Sequence, residues 1–135
     1  MIIKIEMDSE KAKSLYKMAL NREEFIKDSL ITDTSATIIA ENYYDTIKEL
    51  GIIILIFEGL KATGESAHRE IIEHLEKINI LNVEETSIIQ DLRIKRNYSS
   101  YEGKAISKEY LQQKVKKIQE IINKLKKAAE KRLKW

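Results

Sequence analysis

Proline is absent from this sequence and glycine occurs only four times, at Gly51, Gly59, Gly64 and Gly103. A chain with so few breakers is free to run in long helices, whereas an all-β fold needs many more turn residues than these. At 135 residues it fits a single domain, 1–135, long enough to bury a core without staples. Hydrophobic residues make up 43% and charged residues 34%, a balance that suits a globular protein and argues against a disordered one. The expected fold class is therefore all-α, an up-and-down antiparallel bundle of four to five helices.

Apolar spacing and capping residues place the helices. The first is expected from Asp8 or Ser9 to about Leu30, with Leu15, Met18, Ala19, Phe25 and Ile26 as its apolar stripe. Thr32-Asp33-Thr34-Ser35 breaks it and offers new caps. A second helix runs from Ala36 to about Leu60 and is apolar nearly all round after Gly51, which marks it as the central one. Ile52-Ile53-Ile54 would also suit a buried strand, but no second strand of comparable quality is there to pair with it. Adjacent Tyr43 and Tyr44 point in different directions on this helix, so one of them is expected to line a groove or an interface. After a turn at Lys61–Glu65, Ser66 caps a third helix to about Ile78, and a fourth runs from near Asn82 to Gly103. The last helix, capped by Ser107 within a basic segment of about 107–134, carries Leu111, Val115, Ile118, Ile122, Leu125, Ala129 and Leu133 as a clean seam. Its final turns, from about Ala128 to Trp135, are expected to overhang the bundle toward a partner, with Trp135 either an exposed terminal aromatic there or frayed.

The net charge of +2 conceals an asymmetry: residues 1–103 sum to −6 and residues 104–135 to +8. A basic terminal helix of this kind either attracts nucleic acid or an acidic partner, or balances the acidic body. Cysteine is absent, which excludes disulfides and thiolate metal sites. The first residues are too charged for a signal peptide, and the most apolar run, Ile52 to Phe57, is far short of a membrane span, so a cytoplasmic protein with no membrane partner is expected.

The segment richest in chemistry is Asp91 to Gly103. Arg93, Asn97 and Tyr101 follow one another at spacings of four and share a helix face, with Arg96 flanking it. Guanidinium, amide and phenol groups together make an anion pocket, since arginine grips a phosphate bidentately and tyrosine stacks on a base. The plainer alternative is that Arg93 and Arg96 pair with nearby acids while Tyr98 or Tyr101 covers the core.

The stretch Arg96-Asn97-Tyr98-Ser99-Ser100-Tyr101-Glu102-Gly103 resembles the motif of HEPN domains, in which an arginine followed by a polar residue precedes a histidine near the end of the penultimate helix. The helical layout is similar across nearly the whole chain, including the Gly64-Glu65-Ser66-Ala67-His68 turn. The resemblance implies a homodimer whose two motifs face each other across one cleft, binding RNA or a nucleotide. It further implies a metal-independent endoribonuclease, often the toxin half of a toxin–antitoxin pair with a nucleotidyltransferase partner. Carried over, Arg96 binds or polarises the phosphate, Asn97 supports it and Tyr101 stands where the histidine belongs; Arg93, Arg96 and Tyr98 are the ligand-binding candidates. The register is open, because Arg93 and Tyr98 are as well spaced as Arg96 and Tyr101. A histidine titrates near 6.5 and serves as base and acid in turn, whereas a tyrosine titrates near 10, so a tyrosine here reads as a donor or stacking platform.

Neither histidine replaces it by spacing. His68 and His74 lie on another helix, where His74 is expected to pair with Glu70 and His68 reads as a turn residue able to approach the cleft. No third metal ligand is placed by spacing, and no phosphate-binding glycine loop is present, so neither metal nor cofactor is expected. The alternative function is a non-catalytic interaction module that docks a partner through its basic C-terminal helix.

Overall fold

A computed structural model describes residues 1–134; the expectation for Trp135 lies outside the described residues. The chain forms five helices and one small sheet in the order β1 (Ile2–Lys4), α1 (Ser9–Ile26), α2 (Ala36–Phe57), β2 (Leu60–Ala62), α3 (Ala67–Lys77), α4 (Val83–Glu102) and α5 (Lys108–Leu133). It is the all-helical bundle that the scarcity of breakers implies. None of the described helices is long and apolar enough to cross a membrane.

α2 is the hub. It packs on α1 most extensively, then on α5, α4 and α3, and its buried residues recur from Ala36 to Ile56. That central position buries both Tyr43 and Tyr44, at 3% and 1% exposure, and Tyr43 still lines a groove with Glu23, Lys27, Gln119 and Lys126, as expected of one of the pair. Side chains about 100° apart can both be interior when helices pack on several sides of their own. The Tyr43 hydroxyl accepts a hydrogen bond from Gln119 Nε2 of α5 at 3.0 Å. Gly51 belongs to the α2–α3 contact: a Cβ there would stand 2.6 Å from Ile71 Cγ2.

The first helix ends at Ile26 rather than near Leu30. Its buried face is Ala12, Tyr16, Ala19 and Ile26, while Met18 and Phe25 are 50% and 78% exposed. Two alanines on that face allow α1 to lie close to α2, which rotates Met18 and Phe25 outward. Asp8 caps the helix as expected, its Oδ1 accepting from the Lys11 amide at 3.0 Å.

Sequence patterning missed the sheet. Gly59, at φ 71°, ends α2 early, so Leu60 is a strand residue rather than the close of a helix. β2 pairs antiparallel with β1 in the register Ile2–Ala62, Ile3–Lys61 and Lys4–Leu60. The N-terminal ammonium bonds Thr63 O at 2.8 Å and also reaches the Glu70 carboxylate, which ties the start of the chain to α3. His74 consequently pairs not with Glu70 but with Glu58, at 3.2 Å.

The last two helices have the ends their caps foretell. Asn82 and Glu85 form a reciprocal capping box, Gly103 closes α4 at φ 68°, and Ser107 Oγ accepts from the Tyr110 amide at 3.1 Å. The final turns of α5 do not overhang: Ala129 is fully buried, Leu133 is 8% exposed, and Glu130 accepts a hydrogen bond from the Tyr16 hydroxyl of α1.

Candidate functional site

Antiparallel packing of α3 on α4 brings the start of α3 beside the second half of α4. Gly64, at φ 87°, turns the chain out of β2, and Ser66 begins the helix, which sets His68 in its first turn. Opposite stand Arg93, Asn97 and Tyr101. A cleft of about 300 Å³ opens between them, walled by Gly64, Glu65, Ala67, His68 and Arg69 on one side and by that row of three on the other. The spacing of four thus does what helix geometry requires, and His68, read from sequence as a turn residue, completes the cleft.

The remaining candidates lie elsewhere on α4. Arg96 sits behind the cleft wall, its Nη2 at 3.4 Å from Asp45 Oδ1 of α2 and its guanidinium 5.7 Å from the centre of the Tyr44 ring. Its Nε is buried without a hydrogen-bond partner among the described residues. Asp45 also faces Lys48 at 3.5 Å and Arg22 at 3.8 Å, and Arg22 in turn binds Glu49 at 3.2 Å and Asn42 at 2.9 Å. Arg96 therefore belongs to a half-buried ionic network that joins α1, α2 and α4. Tyr98 faces outward on another side, where Lys104 Nζ stands 5.1 Å over its ring. Ser99 and Ser100 turn to Glu41, at 3.0 and 3.4 Å. The register pairing Arg93 with Tyr98 and the one pairing Arg96 with Tyr101 are each split by the packing, because the cleft takes Arg93 from one and Tyr101 from the other.

Electrostatics distinguishes the members. Burial lowers the pKa of His68 from its usual 6.5; Lys48, Arg96 and Arg93 add to the effect and Asp45 opposes it. The imidazole is accordingly neutral at pH 7 and can accept a proton. Behind it, the Tyr44 ring lies 6.2 Å away at an interplanar angle of 55°. Burial pushes the Tyr44 phenol up to about 12, against the opposing charges of Arg93 and Arg96, so it stays protonated. On the cleft walls Arg93 is steadied by its Nε bond to Gln90 Oε1 at 2.7 Å, and Arg69 pairs with Glu73 at 3.2 Å. Tyr101 is 77% exposed at the rim, free to lie against a ligand.

Chemically, the cleft offers an arginine and an amide for an anion, a phenol for stacking or donation, and a neutral imidazole for proton transfer. His68, Tyr44 and Asp45 were not among the sequence's site residues. Their local signs were the Gly64-to-His68 turn and the adjacent Tyr43 and Tyr44, but their proximity to α4 is a product of packing. Comparison with protein-family models, with curated proteins and with solved structures yields no match.

Proposed function

We propose that this chain is a HEPN-like protein that binds RNA or a nucleotide by its phosphate in the cleft between α3 and α4. The observation that carries this reading is the convergence of Arg93, Asn97, Tyr101 and His68 on one polar cleft. Arg93 and Asn97 grip the non-bridging oxygens, and Tyr101 supports a base or the sugar from the rim. His68 supplies from α3 the imidazole that the α4 motif lacks. In the catalytic version, neutral His68 takes the proton of a ribose 2′-hydroxyl as its oxygen attacks phosphorus. The bond to the 5′-oxygen breaks, that oxygen takes a proton from the Tyr101 hydroxyl, and the imidazolium's proton passes through solvent to the Tyr101 phenolate, restoring both groups. The products are a 2′,3′-cyclic phosphate and a 5′-hydroxyl, with no metal required.

The homodimer belongs to the same proposal. Ile94 and Tyr98 are exposed at 43% and 50% along the outer side of α4, away from the cleft, an apolar and aromatic pair suited to a second subunit. A nucleotidyltransferase partner in a toxin–antitoxin pair is the biological setting this reading implies.

The test is binding and cleavage of end-labelled RNA in EDTA by the purified protein, with Arg93→Ala and His68→Ala. Loss of an arginine–phosphate contact is expected to weaken binding by about 10- to 100-fold. His68→Ala is expected to retain binding and lose cleavage. RNA binding that is indifferent to Arg93→Ala contradicts the reading. Arg96→Ala is the poorer control, since it strips Asp45 of a partner in the ionic network as well.

A further inference from the structure

The lysines of α5 divide into two sets. Lys117, Lys124 and Lys126 pair with acids of the body, at 3.5 Å from Glu84, 2.8 Å from Glu85 and 2.7 Å from Glu23. Those contacts account for part of the charge asymmetry by internal balance. Lys108, Lys114, Lys116, Lys127 and Lys131 have no such partner among the described residues, and of these Lys127 and Lys131 share one groove. With Lys124 and Arg132 they wall a broad open groove whose far side is Asn79 and Ile80, in the loop between α3 and α4. The single acid on its walls, Glu130, is engaged by the Tyr16 hydroxyl. Helix-dipole complementarity accounts for cations in the last turn of α5, but that effect fades within a turn and does not reach Lys127. Lys127 and Lys131 stand one helical turn apart, about 6 Å along the axis, on the scale of one nucleotide step.

We infer that this groove is a second phosphate-binding surface, which takes the backbone of a single-stranded polynucleotide. It lies at the opposite end of the α3–α4 hairpin from the cleft, roughly 20 Å along α4 from Asn97 by helical rise. A tetranucleotide fills the cleft alone, whereas a strand of some twenty nucleotides reaches both. The groove binds the sugar–phosphate chain without reading sequence, as exposed lysines do. The bridging of cleft and groove by one strand rests on the function proposed above; the groove's own affinity does not.

Fluorescence anisotropy with a labelled 20-nucleotide RNA and a labelled tetranucleotide tests this. Lys127→Glu with Lys131→Glu is compared with Lys17→Glu and Lys116→Glu, which make the same charge change outside the groove. The groove pair is expected to weaken the long RNA by about tenfold or more and to flatten its log–log salt dependence by about 1.4, for two single-strand phosphate contacts. The control pair leaves that slope unchanged, and the tetranucleotide binds all three proteins alike. Equal loss from both pairs, or no loss from the groove pair, overturns the inference. Arg93→Ala separates the two claims. If it leaves tetranucleotide binding intact while the groove pair still weakens the long RNA, the cleft reading fails and the groove stands.

Discussion

The two halves of α4 contrast in every physical respect. From Val83 to Leu92 the helix is held: the Asn82–Glu85 box caps it, Lys124 anchors Glu85, and Ile89 and Leu92 are fully buried. From Arg93 to Glu102 it has no buried residue, and its side chains turn to a cleft, an ionic network and solvent. One continuous helix thus anchors with its first half and displays chemistry with its second. Rigid support beneath an exposed polar row is what a binding site requires, because ordering that row on ligand binding then costs little further entropy.

This contrast is broken most forcefully in the anchored half. Leu92→Ala is expected to cost about 2–5 kcal/mol in urea unfolding, whereas Asn97→Ala, further along the same helix, stays within about 0.5 kcal/mol. Similar costs at the two positions would dissolve the distinction. Gly51→Ala comes next, through the opposite wall of the cleft. The added methyl meets Ile71 Cγ2 and pushes α3 away from α2, for about 1–3 kcal/mol by the same assay.

Asn82→Ala removes a cap and is expected to cost about 1 kcal/mol. Its partner Glu85 adds a pH signature. Burial raises the pKa of this carboxyl, but hydrogen bonds from Lys124 and the Asn82 backbone, with the charges of Lys124 and Lys117, prevail and leave it below 4.5. A folded-state pKa below the unfolded value means stability that is present above 4.5 and lost as pH falls through the lower folded value. Thermal denaturation below pH 4.5 should therefore be less acid-sensitive in Glu85→Gln than in the native chain.

The displayed half yields the smallest stability effects and the clearest functional ones. Arg93→Ala is expected to change unfolding free energy by less than about 0.5 kcal/mol while weakening oligonucleotide binding as described. His68 gives the finest discrimination. With its pKa lowered, the imidazole gains charge only below 6.5, and each such proton adds a cation to the cleft. Tetranucleotide affinity should rise as pH falls through that lowered value, and His68→Ala should abolish the rise. The same shift has the opposite sign for folding, because the unfolded chain takes the proton more readily; its stability contribution is full above 6.5 and declines below it.

What could be read from the sequence was what neighbouring residues decide among themselves. Asn82 with Glu85, Gly103, and Ser107 each fix a helix end through contacts three or four residues away. The alignment of Arg93, Asn97 and Tyr101 needed only helical periodicity. What escaped was settled at long range: β1 finds β2 about sixty residues on, across strands too short to carry a pattern. Burial of both Tyr43 and Tyr44 follows from helices surrounding α2, and Arg96 is drawn behind the cleft by Asp45, fifty-one positions earlier. The Gly64-to-His68 turn was visible, but what it faces depends on how α3 lies against α4.

The most direct measurement is a backbone-amide NMR titration of the native protein with a short RNA tetranucleotide in EDTA. Shift changes concentrated in Gly64–Arg69 and Arg93–Tyr101, and absent in Arg93→Ala, are the expected result. Changes centred elsewhere, or identical in the variant, would contradict a ligand site between α3 and α4.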